Sequence, residues 1–159
     1  MKKEIIVGMA DLKVSKAPDI ITTSLGSCIG VCLYSPTQKV GGILHLMMAY
    51  AGPAAQREGF KKAKFADTGI PELIHQLQAI NSSGPKDYVA KIFGGGKILH
   101  GIVRNIGADN ESAVRSILKD LGIRIVAART GGGKGYRISL NLDTGKVSCR
   151  IFGAESEEF

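Results

Sequence analysis

Apolar positions fall in short runs at 3–7, 19–23, 29–34, 40–48, 88–93, 123–128, 137–142 and 146–152. Runs of that length, alternating or continuously apolar, predict strands. Two stretches keep a helical period instead. Ile70, Leu73, Ile74, Leu77 and Ile80 share one face of a helix predicted over about 71–81, with Pro71 in its first turn. Val114, Ile117, Leu118 and Leu121 do the same over about 110–121, where Gly122 supplies the stop. Asp143-Thr144-Gly145 reads as the turn of a closing hairpin. Strands first, then helices interleaved with strands, then a hairpin predict one α/β domain over 1–159. It should be a sandwich with a mostly antiparallel or mixed β-sheet and two main helices, without regular βαβ winding. The irregular stretch 50–67 is long for a compact domain and follows the strand that carries His45, which makes it a candidate rim for a site.

Composition narrows the classes. A chain of 159 residues, 44% hydrophobic, can bury a real core. Three cysteines without a disulfide-framework spacing imply reduced thiols, and no apolar run approaches membrane-spanning length. A soluble, cytoplasmic protein without membrane insertion is expected. The net charge is +7, but the 21 basic residues are scattered. The one cluster, Lys61-Lys62-Ala63-Lys64, lies between Phe60 and Phe65 in no nucleic-acid motif. A solvated loop is expected there and no nucleic-acid partner, while the positive surface favours an acidic protein. Gly94-Gly95-Gly96 and Gly131-Gly132-Gly133 lack the Ser or Thr of a phosphate loop and read as turns that let backbone approach backbone. His75 and His100 have no ligand spacing around them, so no metal and no cofactor are expected.

The chemistry concentrates at Cys28. It ends the small-residue loop Thr22-Thr23-Ser24-Leu25-Gly26-Ser27 and opens the run Ile29-Gly30-Val31-Cys32-Leu33-Tyr34. His45 lies in the next strand, and an antiparallel pair joined through 35–39 sets the start of one beside the end of the other. Period two puts Cys28, Gly30, Cys32 and Tyr34 on one face, and Gly41, Ile43, His45 and Met47 on another. Whether these faces coincide depends on a register that sequence leaves open. Cys32 and Cys149, set in apolar strands, read as structural.

Together, Thr22 to Cys28 with Ile29-Gly30-Val31-Cys32, Gly41-Gly42-Ile43-Leu44-His45, Ala66-Asp67-Thr68, Ala90-Lys91-Ile92-Phe93-Gly94-Gly95-Gly96, Asn105-Ile106-Gly107 and Thr130-Gly131-Gly132 resemble the chemoreceptor glutamine deamidases, the CheD family. The resemblance spans nearly the whole chain in order. It implies a thiol-dependent protein-glutamine glutaminase that converts glutamines of methyl-accepting chemotaxis receptors to glutamate, with some esterase activity on methylated glutamates. It also implies a fold similar to the catalytic domain of the cytotoxic necrotizing factor toxins. CheC phosphatase is implied as a possible partner, so the alternative reading is a binding module that regulates a CheC-like phosphatase. By position Cys28 matches the nucleophile, His45 the base and Thr22 the third residue. Thr23 is the neighbouring alternative, because a shift of one residue along a strand reverses the side chain's direction. A thiolate favoured by a nearby imidazolium is the expected resting state, with a lowered thiol pKa. Two positions depart from the family pattern: Asp109 replaces a usual arginine and Arg129 a usual aspartate. That exchange of sign predicts a salt bridge between them.

Overall fold

The computed structural model describes residues 1–97 and 105–159. Its strands are β1 (Glu4–Ile6), β2 (Asp11–Lys16), β3 (Ile20–Leu25), β4 (Ile29–Ser35), β5 (Val40–Leu46), β6 (Val89–Gly94), β7 (Arg124–Thr130), β8 (Tyr136–Asn141), β9 (Val147–Ile151) and β10 (Ser156–Glu158). The helices are α1 (Ala66–Ile80) and α2 (Ile106–Asp120). Two five-stranded sheets form, ordered β1-β3-β8-β9-β10 and β2-β5-β4-β6-β7. Both are mixed, since β1 runs parallel to β3 and β6 parallel to β7 while the other pairings are antiparallel.

The second sheet is the middle layer. One of its faces, with Ile29, Val31, Leu33, Leu44 and Leu46, packs against Ile70, Leu73, Leu77, Val114 and Leu118 of the helices. The other, with Cys32, Tyr34, Ile43 and Phe93, packs against Ile21, Leu25, Ile138 and Leu140 of the first sheet. Covered on both faces, β4 and β5 are buried throughout, which is why their sequences are nearly continuous apolar runs.

The predicted strands are all present, with ends shifted by up to two residues. Two were not expected. β2 is an edge strand carrying only Leu12 and Val14 as apolar residues, with Lys13 and Lys16 on a border that must resist further pairing. β10 is wholly exposed, so it carries no burial pattern at all. Helix α1 starts at Ala66, placing Pro71 inside the helix and leaving Ile80 exposed. Helix α2 starts at Ile106, where the Asn105 side chain accepts the Ala108 N–H at 3.1 Å.

Candidate active site

Strand register settles the geometry that sequence left open. Gly30 stands opposite His45, and Cys28 lies two residues earlier, one residue outside the paired register. A continued ladder would make the two diagonal neighbours, about 7–8 Å apart at the backbone, and His45 Nε2 makes no hydrogen bond to the Cys28 sulfur. Cys28 belongs to the core between the two sheets and retains 8% exposure, more than Cys32 at 1% or Cys149 at 3%. His45 is buried on the same side.

The threonine that meets His45 is Thr23. Its hydroxyl lies 2.8 Å from His45 Nδ1 and donates to the Val7 carbonyl at 2.8 Å. A hydroxyl has one proton. With that proton on Val7, the Thr23 oxygen accepts from Nδ1–H, which leaves the lone pair of the neutral ring on Nε2. Nε2 is buried and has no hydrogen-bond partner. Thr22, the positional match to the third residue, points to the opposite face of β3 and meets Ser139 Oγ at 3.0 Å. The one-residue alternation that kept both threonines in play therefore assigns the imidazole contact to Thr23. Thr23→Val is expected to lower kcat/KM about 10²-fold by freeing the ring, with Thr23→Ser restoring most of it, whereas Thr22→Val changes it less than about threefold. Steady-state kinetics on the three variants check this.

Burial acts on both partners. It holds the His45 imidazolium below its ordinary range and pushes the Cys28 thiol up, although the residue's own amide N–H pulls the other way. Both directions favour a resting thiol and neutral imidazole over the expected thiolate–imidazolium pair with its lowered thiol pKa. Burial likewise pushes Cys149 to about 11 and Cys32 to about 12.

The loop that leads into Cys28 is clamped from two sides. Gly95 N–H donates to Cys28 O at 2.9 Å and Gly96 N–H to Gly26 O at 3.0 Å. Gly94 has φ +99°, and a Cβ there would collide with the Cys28 carbonyl oxygen, so the first glycine triplet permits the close backbone approach its composition suggested. From the helix layer, buried Asn110 sends Nδ2 to Met47 O at 2.9 Å and Ser27 O at 3.4 Å. One amide thus ties the end of the histidine strand to the residue before Cys28. Sequence reasoning gave Asn110 no role; the available signal was a polar residue four positions before Val114, on the apolar face of α2.

A family model described as CheD chemotactic sensory transduction matches residues 47–151. The chain belongs to the CheD family. A probable chemoreceptor glutamine deamidase CheD of Desulforamulus reducens is 41% identical over 156 residues, covering 95% of this chain and 92% of that one. The chemoreceptor glutamine deamidase CheD of Thermotoga maritima is 36% identical over 154 residues, covering 96% and 94%. Among solved structures, the hypothetical protein YfiH of Bacillus licheniformis matches at 15% identity and TM-score 0.48 over 77% of this chain and 50% of that one, a likeness too slight to argue from.

Within this CheD-family chain, the carboxylate that meets Arg129 is Glu157, at 3.7 Å, and not Asp109 as the exchange of sign suggested. Asp109 instead occupies the first turn of α2, where a negative charge is favoured. His75 is exposed on α1, and His100 lies outside the described residues. The stretch 50–67 folds back on β5, with Met47 N–H and Met48 N–H both donating to Lys64 O, which makes it a wall beside the histidine strand.

Proposed function

We propose that this protein deamidates glutamine side chains of chemotaxis receptors, with Cys28 as nucleophile, His45 as base and acid, and Thr23 as the residue that orients His45. The observation that carries this is the orphaned Nε2 of a buried imidazole whose other nitrogen is held. An unsatisfied buried polar atom costs about 1–3 kcal/mol. Its position on the face shared with Cys28 gives that cost a purpose.

The chemistry follows from the tautomer. As substrate draws the side chains together, Nε2 takes the thiol proton and the sulfur attacks the glutamine amide carbon. The imidazolium then gives its proton to the departing nitrogen, ammonia leaves, and an acyl thioester remains. Water, deprotonated by the same Nε2, attacks that thioester; glutamate leaves and the thiol is restored. A methyl ester would enter the same cycle with methanol as leaving group, giving the esterase activity that the family resemblance implies. A neutral threonine oxygen orients the ring but supplies less stabilisation to the imidazolium than a carboxylate would.

Exposed apolar side chains flank the site in sequence. Ile6 and Met9 bracket the Val7–Thr23 contact, and Met48 and Tyr50 follow the histidine strand. They suit a macromolecular substrate better than a free amino acid. The whole of 1–159 acts as one deamidase domain in the cytoplasm, where receptor signalling helices are found. No helix among the described residues is long and apolar enough to cross a membrane. CheC-like phosphatase as a partner, and kinship of fold with the cytotoxic necrotizing factor toxins, rest on the family resemblance alone.

The test is peptide mass spectrometry of a receptor cytoplasmic fragment after incubation with the protein. Conversion of specific glutamines to glutamate is expected. Glutamines left intact would refute the proposal.

A further inference from the structure

The outer face of the first sheet carries a charge arrangement that folding does not explain. Arg137 of β8 stands directly opposite Arg150 of β9. Ser24 pairs with Arg137 on one side, and Ser156 with Arg150 on the other, so the four residues form one row across the sheet. Like charges facing each other across an antiparallel pair destabilise it. Among the described residues neither arginine forms a salt bridge. Arg137 Nη1 donates to Ser24 Oγ at 2.9 Å and Arg150 Nε to Ala154 O at 3.2 Å, both neutral acceptors.

A cavity of about 400 Å³ opens around this pair. Ser24, Leu25 and Phe152 complete much of its wall, and among the described residues no carboxylate lines it. Phe152, at 78% exposure, offers an apolar surface beside the two guanidinium groups. The place matters as much as the charge. Leu25 precedes Cys28 by three residues, so their Cα atoms are within about 11 Å. A polypeptide whose glutamine reached Cys28 would have neighbouring residues within a few residues' span of this cavity.

We infer that Arg137 and Arg150 bind the carboxylate of an acidic residue that neighbours the target glutamine in the protein substrate, with Phe152 packing against that segment's apolar part. The inference rests on the deamidase reading. A guanidinium presents a planar fork that matches a carboxylate, and two of them side by side without a counter-charge suit an anion supplied from outside. The net charge of +7 agrees in sign with an acidic partner.

The experiment compares two glutamine peptides, one with glutamates flanking the glutamine and one with alanines, on the parent protein and on the double variant Arg137→Gln with Arg150→Gln. The parent should prefer the acidic peptide, and the preference should shrink as salt rises. In the double variant KM for the acidic peptide should rise roughly three- to tenfold, with kcat within about twofold and KM for the alanine peptide unchanged. An equal rise in KM from Lys119→Gln, an exposed charge in the last turn of α2, would make the effect a general field and overturn the inference. A parent that converts both peptides with KM untouched by the double substitution overturns this inference alone. A parent that converts neither overturns the deamidase reading and the inference together.

Discussion

Cys28→Ala should abolish conversion of receptor glutamine to glutamate while leaving the protein folded. The loss should be complete because the structure holds no substitute. Cys32 and Cys149 are more deeply buried inside their strands, and their thiols are pushed to about 12 and about 11. Ser27 precedes the strand start by two positions, and its backbone, held by Asn110, shapes the loop. The substitution removes one sulfur from a buried position at the edge of the core, which should cost about 1 kcal/mol and leave a cooperative thermal transition. Mass spectrometry of the receptor fragment, run beside a melting curve, checks both halves. Parent-like conversion by the alanine variant would make Cys28 a structural residue.

His45→Leu should lower kcat/KM by about 10²–10⁴-fold, the range that general acid–base catalysis supplies. Its effect on stability should run the other way. Leucine replaces the orphaned Nε2 with apolar surface in a core position, recovering part of the roughly 1–3 kcal/mol spent on it, while Thr23 keeps its bond to Val7. The pH dependence has a definite sign. Burial lowers the His45 pKa from its ordinary 6.5, and Asp11, its cross-strand neighbour on β2, pairs with Lys13 instead. The folded state therefore binds the proton less readily than the unfolded chain. The parent should lose stability as pH falls from about 6.5 through the lower folded pKa, and His45→Leu should lose less over that window. The acid limb of kcat/KM should likewise lie below 6.5. Melting temperatures that fall in parallel for parent and variant would contradict the assigned burial of His45.

How much was legible follows from what each feature leaves in the chain. The buried strands β4 and β5 and the helix faces through Leu73 and Val114 announce themselves by period, since burial selects apolar residues at each inward position. Strand β2 buries only Leu12 and β10 buries nothing, so burial left too little pattern to mark either as a strand. Pro71 suggested a helix start because proline fits a first turn, yet packing of Ala66 and Ile70 against the central sheet extends α1 ahead of it. Cys28 and His45 were visible as residue types in context. Their meeting was not, because it depends on Gly30 pairing with His45, and register is a property of two strands rather than one. The choice between Thr22 and Thr23 turns on the same parity, now set by β3 against β8. Asn110 was hidden because it joins Ser27 and Met47 across 83 and 63 residues, a distance at which local pattern says nothing.

The most direct test of the central claim is labelling with a receptor-derived peptide in which a diazoketone analogue replaces the target glutamine. A catalytic thiol attacks the carbon bearing the diazo group, dinitrogen leaves, and a stable thioether remains on the nucleophile. Peptide mapping should place the adduct on Cys28, with deamidase activity falling in proportion to labelling and unmodified substrate peptide protecting both. An adduct on Cys32 or Cys149, or full activity after Cys28 is labelled, would contradict the account.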